Sequence, residues 1–181
     1  MAILKHISVK NRFYSSAVEY LTCKFDEYTN KPVLDEKGRI QERENYLIVG
    51  VNCDVDSFGA ECIEVNRLYG KNNSVKDVKA HHYIISFEPN DPITIEQALE
   101  FGKQWLSVFA PGHQAVVAVH PDGHNGSQNM HVHMVINSVR KYAGKQSRWH
   151  EKPCEWKLGC KHKSTGKMMF HAKKWVMEKC I

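Results

Sequence analysis

Residues 114–139 constrain the fold more tightly than any other stretch, reading QAVVAVH, then the ten residues PDGHNGSQNM, then HVHMVINSV. Two short apolar runs rich in Val and Ile, joined by one polar loop with two glycines, form neighbouring antiparallel strands. Side chains alternate faces along a strand, so His131 and His133 share one face, roughly 7 Å apart. His120 closes the first strand, and antiparallel pairing across the loop brings it toward that same face. Three neutral imidazoles with open coordination positions suit a catalytic divalent metal acting as a Lewis acid on a phosphoryl or carbonyl oxygen. Asp122 either orients a ligating imidazole or closes an Asx turn with Gly123, and His124 beside it is a spare that serves as a ligand, a DNA contact or a loop residue.

The elements on either side of this pair follow from local signals. An apolar stretch at 3–9 precedes Ser16-Ala17-Val18-Glu19, a capping-box pattern that predicts a helix over 17–24 with Tyr20 in its first turns. Residues 26–50 are polar and turn-rich, a hairpin-like excursion before Tyr46-Leu47-Ile48-Val49. A second helix is predicted over 58–69, stopped by Gly70. His81-His82-Tyr83-Ile84-Ile85-Ser86-Phe87 is a strand closed by Pro89, and Thr94-Ile95-Glu96-Gln97 is a capping box for a helix to about 109, ended by Pro111-Gly112. The expected fold class is α/β (α+β), with a largely antiparallel sheet in one domain over 1–181.

Composition narrows the function classes. With 42% hydrophobic and 25% charged residues the chain carries a sizeable core, which excludes a disordered tail or a fibre. No stretch reaches the roughly 20 apolar residues of a membrane span. The start MAILKHISVKNRF turns charged before any run of signal-peptide length, so an intracellular protein is expected. Six cysteines occur without a C-x-x-C pair, the pattern of reduced thiols. Residues 138–181 hold 12 Lys and Arg against 3 Asp and Glu, whereas residues 1–137 hold 13 against 17. That basic segment also contains Tyr142, Trp149, Trp156, Phe170 and Trp175. Cations interleaved with aromatic faces suit a phosphate-rich, single-stranded partner, and a helix over 167–179 would place Lys173, Lys174 and Trp175 beside it.

Taken in order, these segments resemble the conjugative relaxases of the MobA/MobL (P-type) family in the HUH endonuclease superfamily. H-x-D, a polar loop and H-x-H-x-V-I-N resemble that family's third motif. His81 to Phe87 resembles its second, and the helix carrying Ala17-Val18-Glu19-Tyr20-Leu21 resembles its first. The resemblance implies a sandwich with a five-stranded, largely antiparallel sheet flanked by helices. It implies that Tyr20 attacks a scissile phosphodiester at a transfer origin, with Tyr14 and Tyr28 as the alternative nucleophiles. It also implies that His120, His131 and His133 hold Mg²⁺ or Mn²⁺, with His124 or Asp122 as alternatives to His120. Asp122 then joins Tyr20 as a catalytic residue, with Glu88 or a histidine as the other choices for the base. Ser86, His82, Asn125, Arg140, Lys173 and Lys174 would contact DNA.

Further implications concern context. The family's partners are single-stranded transfer-origin DNA with an adjacent hairpin, accessory relaxosome proteins and the coupling protein of a secretion system. The location is the bacterial cytoplasm, with transfer to the recipient cell alongside the DNA, and the chain is expected to be the N-terminal part of a longer protein. Two other readings compete. A rolling-circle replication initiator of the same superfamily would place its tyrosine after the histidines, where Tyr142 lies. A non-catalytic nucleic-acid-binding module would hold structural zinc, for which Cys154, Cys160, His162 and His171 have poor spacing.

Overall fold

A computed structural model describes residues 2–10, 14–26, 29, 31–121 and 129–142. The chain forms β1 (Ile3–Val9), α1 (Ser15–Thr22), β2 (Leu47–Val51), α2 (Phe58–Leu68), β3 (Ala80–Ser86), α3 (Ile95–Phe109), β4 (His113–His120) and β5 (His131–Arg140). The strands make one sheet in the order β1-β3-β5-β4-β2, and every neighbouring pair is antiparallel. The expected α+β architecture, with five strands flanked by helices, is therefore present. Among the described residues no helix is long and apolar enough to cross a membrane.

The alternation of β4 and β5 divides the core between the two faces. Val117, Val119, Val132, Met134 and Ile136 pack on one face against Ala98, Trp105 and Leu106 of α3. Helix α3 begins where its capping box predicts, with Gln97 N donating to Thr94 Oγ1 at 3.2 Å and Thr94 N donating to Gln97 Oε1 at 2.9 Å. It sits close to the sheet because Gly102 has no Cβ. One built there would lie 2.7 Å and 2.8 Å from methyl carbons of Val132 and Val117.

The opposite face carries Val116, Ala118 and Val135 under Leu21 of α1 and Phe58 and Cys62 of α2. Here the sequence expectation needs a correction. Helix α1 starts at Ser15 behind an N-cap at Tyr14 that makes no side-chain cap bond, so the Ser16 capping box does not form. The cause is tertiary: Tyr14 is 3% exposed, its hydroxyl donates toward Lys79 O at 3.0 Å and Asn137 Oδ1 at 3.3 Å, and it accepts from Asn66 Nδ2 at 2.7 Å. This anchor sets the helix start and leaves Ser16 inside the first turn. Gly70, at φ 60°, turns the chain out of α2 as expected. The excursion between α1 and β2 closes through the isolated bridges Cys23↔Glu42, Phe25↔Pro32 and Leu34↔Ile40.

Candidate metal and nucleophile site

The site lies on the α1 face of the three central strands, at the end where β4 runs into β5. In the sheet register His120 stands opposite His131, His131 opposite Ser86, and His133 opposite Ile84. Directly opposed residues in an antiparallel pair project from the same face, so His120, His131, His133 and Ser86 converge there. The three histidines are 1%, 5% and 1% exposed, and each offers one ring nitrogen within 4.8 Å of the others. Ring centroids are 4.6 Å apart for His120 and His133, 5.4 Å for His131 and His133, and 6.1 Å for His120 and His131.

Hydrogen bonding assigns the nitrogens. His120 Nε2 lies 2.8 Å from the carbonyl oxygen of Leu21, which can only accept, so Nε2 carries the proton and Nδ1 keeps its lone pair. His133 Nδ1 lies 3.0 Å from His82 Nε2. His133 Nε2 is buried with no hydrogen-bond partner among the described residues. Burial holds the His133 imidazolium well below its usual range, and the charges of His120, His82, His131 and Arg43 add to this. A ring kept neutral, with one nitrogen unmatched in the interior, fits a metal ligand better than a packing residue.

Tyr20 enters the same cluster from α1. Its half-buried ring packs edge-on against His133 and His82, with centroids 6.1 Å and 6.0 Å away, and tilts against Phe25 at 5.3 Å. The following residue, Leu21, is fully buried and supplies the carbonyl that holds His120. Tyr14 is placed differently: its hydroxyl is fastened near Asn137, six residues along β5 from His131, which is roughly 20 Å of strand. Burial pushes the Tyr14 phenol up to about 12. Tyr142 follows β5 at its far end, where its backbone N–H bonds Gly112 O at 3.0 Å.

The remaining sequence candidates separate cleanly. Ser86 joins the cluster, and His82 joins it as a 7%-exposed neighbour of His133. Glu88 is exposed just beyond Ser86. Arg140 lies at the opposite end of β5, with Nε donating to Pro111 O at 2.8 Å, and is not brought together with the histidines. Tyr28, Asp122, His124, Asn125, Lys173, Lys174, the helix expected over 167–179 and the set Cys154, Cys160, His162 and His171 lie outside the described residues.

Two cations escaped the sequence reading. The charge of Lys5 acts on His82, whose imidazolium is lowered to about 4 first by burial and then by Lys5 and His6. Arg43 acts on His133, and its backbone N–H bonds Thr22 O at 2.9 Å, two residues past Tyr20. Both are brought in by long-range pairing that no local motif reports. Together they make the surroundings electropositive, which suits an anionic ligand.

The family model for the MobA/VirD2-like relaxase nuclease domain matches residues 28–161. Protein rlx of Staphylococcus aureus is 36% identical over 103 residues, covering 57% of this chain and 30% of that protein. The group II intron-interrupted relaxase LtrB of Lactococcus lactis subsp. cremoris is 40% identical over 99 residues, covering 54% of this chain and 15% of that protein. The match thus spans less than a third of the length of these curated relatives. No solved structure matches. Because the family match runs through well over half of its residues, the chain belongs to the MobA/VirD2-like relaxases, and the matching stretch is their nuclease domain.

Proposed function

We propose that this chain nicks and rejoins one strand of DNA at the transfer origin of a plasmid or conjugative element, through a covalent 5′-phosphotyrosyl bond to Tyr20. The observation that carries the reading is the packing of the Tyr20 ring against His133, a buried imidazole whose Nε2 is left without a hydrogen-bond partner among the described residues. A nucleophile and a metal-ready ring in contact, flanked by Lys5 and Arg43, are what phosphoryl transfer to a side chain requires.

The proposed chemistry balances without an external energy source. Tyr20 Oη forms a bond to the scissile phosphorus while the bond from phosphorus to the 3′ oxygen breaks. The phenolic proton passes to a base, for which Glu88, Asp122 and the site's histidines are the choices, and the leaving 3′ oxygen takes up a proton. Attack of that 3′-hydroxyl on the phosphotyrosine reverses the step and reseals the strand. Ser86 would orient the strand at the nick, a role supported by its register opposite His131. A divalent cation on His120, His131 and His133 would polarise the scissile phosphate. Three imidazoles favour Mn²⁺ over Mg²⁺, which prefers oxygen donors and its own water.

The wider context is part of the same proposal: single-stranded origin DNA with its hairpin as substrate, and relaxosome proteins with a coupling protein as partners. The test is incubation with labelled single-stranded oligonucleotides from the candidate origin, with Mn²⁺ or EDTA, resolved on a denaturing gel that retains protein–DNA adducts. A Mn²⁺-dependent adduct that disappears in Tyr20→Phe is expected. An adduct that survives Tyr20→Phe would overturn the assignment of the nucleophile, and binding of the correct origin without cleavage would overturn the nuclease reading.

A further inference from the structure

His82 stands where it can decide which nitrogen of His133 is available. It sits on β3 opposite Val135, on the face that carries His133 two residues away along β5. Its Nε2 is 3.0 Å from His133 Nδ1 and its ring centroid is 5.2 Å from that of His133. At 7% exposed it presents little surface to a DNA backbone, the role the sequence suggested for it.

A neutral imidazole carries its proton on one nitrogen only. With the proton on Nε2, His133 would bury a donor that meets no acceptor among the described residues, and that nitrogen would be closed to a metal. With the proton on Nδ1, the ring donates to His82 Nε2 and its Nε2 lone pair stays open to a metal. Ligating histidines commonly have the second nitrogen held by a carboxylate, carbonyl or water; here another imidazole occupies that place.

We propose that His82 is a positioning residue whose Nε2 accepts the Nδ1 proton of His133, holding that ring in the tautomer that offers Nε2 to a divalent cation. The inference rests on the metal reading above and adds the residue that prepares the ligand. The same ring braces Tyr20, so one side chain sets the orientation of the ligand and the floor beneath the nucleophile.

The test compares the wild-type chain with His82→Leu and His82→Gln, the latter keeping an acceptor in its side-chain oxygen. Calorimetric titration with Mn²⁺ alone is expected to show a loss of about 10–100-fold in affinity in His82→Leu and recovery of most of it in His82→Gln. Long-range ¹H–¹⁵N spectra of the metal-free wild type are expected to show His133 protonated on Nδ1. Binding of single-stranded DNA in EDTA is expected to stay unchanged in both variants. Equal Mn²⁺ affinity in all three proteins, or a His133 protonated on Nε2 in the wild type, would overturn the role of His82 alone. Loss of DNA binding in EDTA with Mn²⁺ affinity intact would return His82 to a DNA contact. A wild type that binds no Mn²⁺ would remove the metal reading and this inference together. If His82→Leu does not fold, His82→Gln and the wild-type tautomer still decide.

Discussion

The two ends of the α1 face carry polar groups of opposite character. At the far end Asn66 donates to Tyr14, Tyr14 to Lys79 O and Asn137, Asn137 to Gln114 at 3.2 Å, and Gln114 to Glu61 at 3.2 Å, where Lys141 closes the chain at 2.7 Å. Apart from Asn66 Oδ1, these groups satisfy one another. At the near end the histidines also crowd together, yet His133 Nε2 meets no hydrogen-bond partner among the described residues. A closed polar network specifies packing, whereas an open one is poised for something outside the chain. The contrast also explains why two tyrosines six residues apart on one short segment differ: Tyr14 has spent its hydroxyl on the fold, whereas Tyr20 meets the site through its ring.

The sharpest way to break this comparison is to remove a group from the open end. His133→Ala is expected to lower Mn²⁺ affinity by more than about 100-fold in calorimetry, beyond the loss typical of a supporting partner, and to abolish adduct formation. Tyr20→Phe comes next: it should eliminate the covalent adduct while shifting the unfolding free energy by less than about 0.5 kcal/mol, measured by urea denaturation. The same change at the closed end should do the reverse. Tyr14→Phe strips Asn66 Nδ2 of its acceptor and takes from Lys79 O one of its two donors, the other being Ser138 N–H, and is expected to cost about 1–3 kcal/mol, with cleavage of origin DNA retained by the folded protein. If Tyr14→Phe eliminated the adduct at full stability, the assignment of the two ends would be inverted.

The smallest effect concerns acid. A hydrogen bond from Lys141, followed by bonds from Asp54 N–H and the Ser57 hydroxyl, holds the Glu61 carboxyl down to about 2. The unfolded chain therefore binds this proton first, at the ordinary carboxylate value of about 4.3. The stabilisation from Glu61 is whole above that value and drains as pH falls toward 2. Glu61→Gln should flatten this part of the stability curve, measured by thermal unfolding between pH 5 and 2, without touching Mn²⁺ affinity.

Much of the open end was legible because its grammar is local. The spacing of His131 and His133, one ten-residue loop from His120, places three imidazoles together as soon as the loop is read as joining paired strands. The α3 capping box was equally legible, since Thr94 and Gln97 satisfy each other. What failed was local grammar overruled from a distance. Ser16 and Glu19 match the same capping template, but Tyr14 reaches Lys79 and Asn137 and starts the helix earlier. Other partnerships have no local signal at all: His82 meets His133 only through the β3–β5 register, and Arg43 reaches the site only because residues 31–43 fold back beside α1.

The carbonyl of Leu21 on His120 has a mechanical meaning under the proposed chemistry. DNA joined to Tyr20 would hang from a helix of eight residues fixed at one end by the buried Tyr14 and at the other by the buried Leu21 and its bond into β4. Tension on the strand would then pass through α1 into β4 and β5, which register with each other from His120↔His131 back to His113↔Arg140. The nucleophile would thus be moored to two central strands of the sheet, so a pulled strand would load a long register of paired backbone and not a single loop.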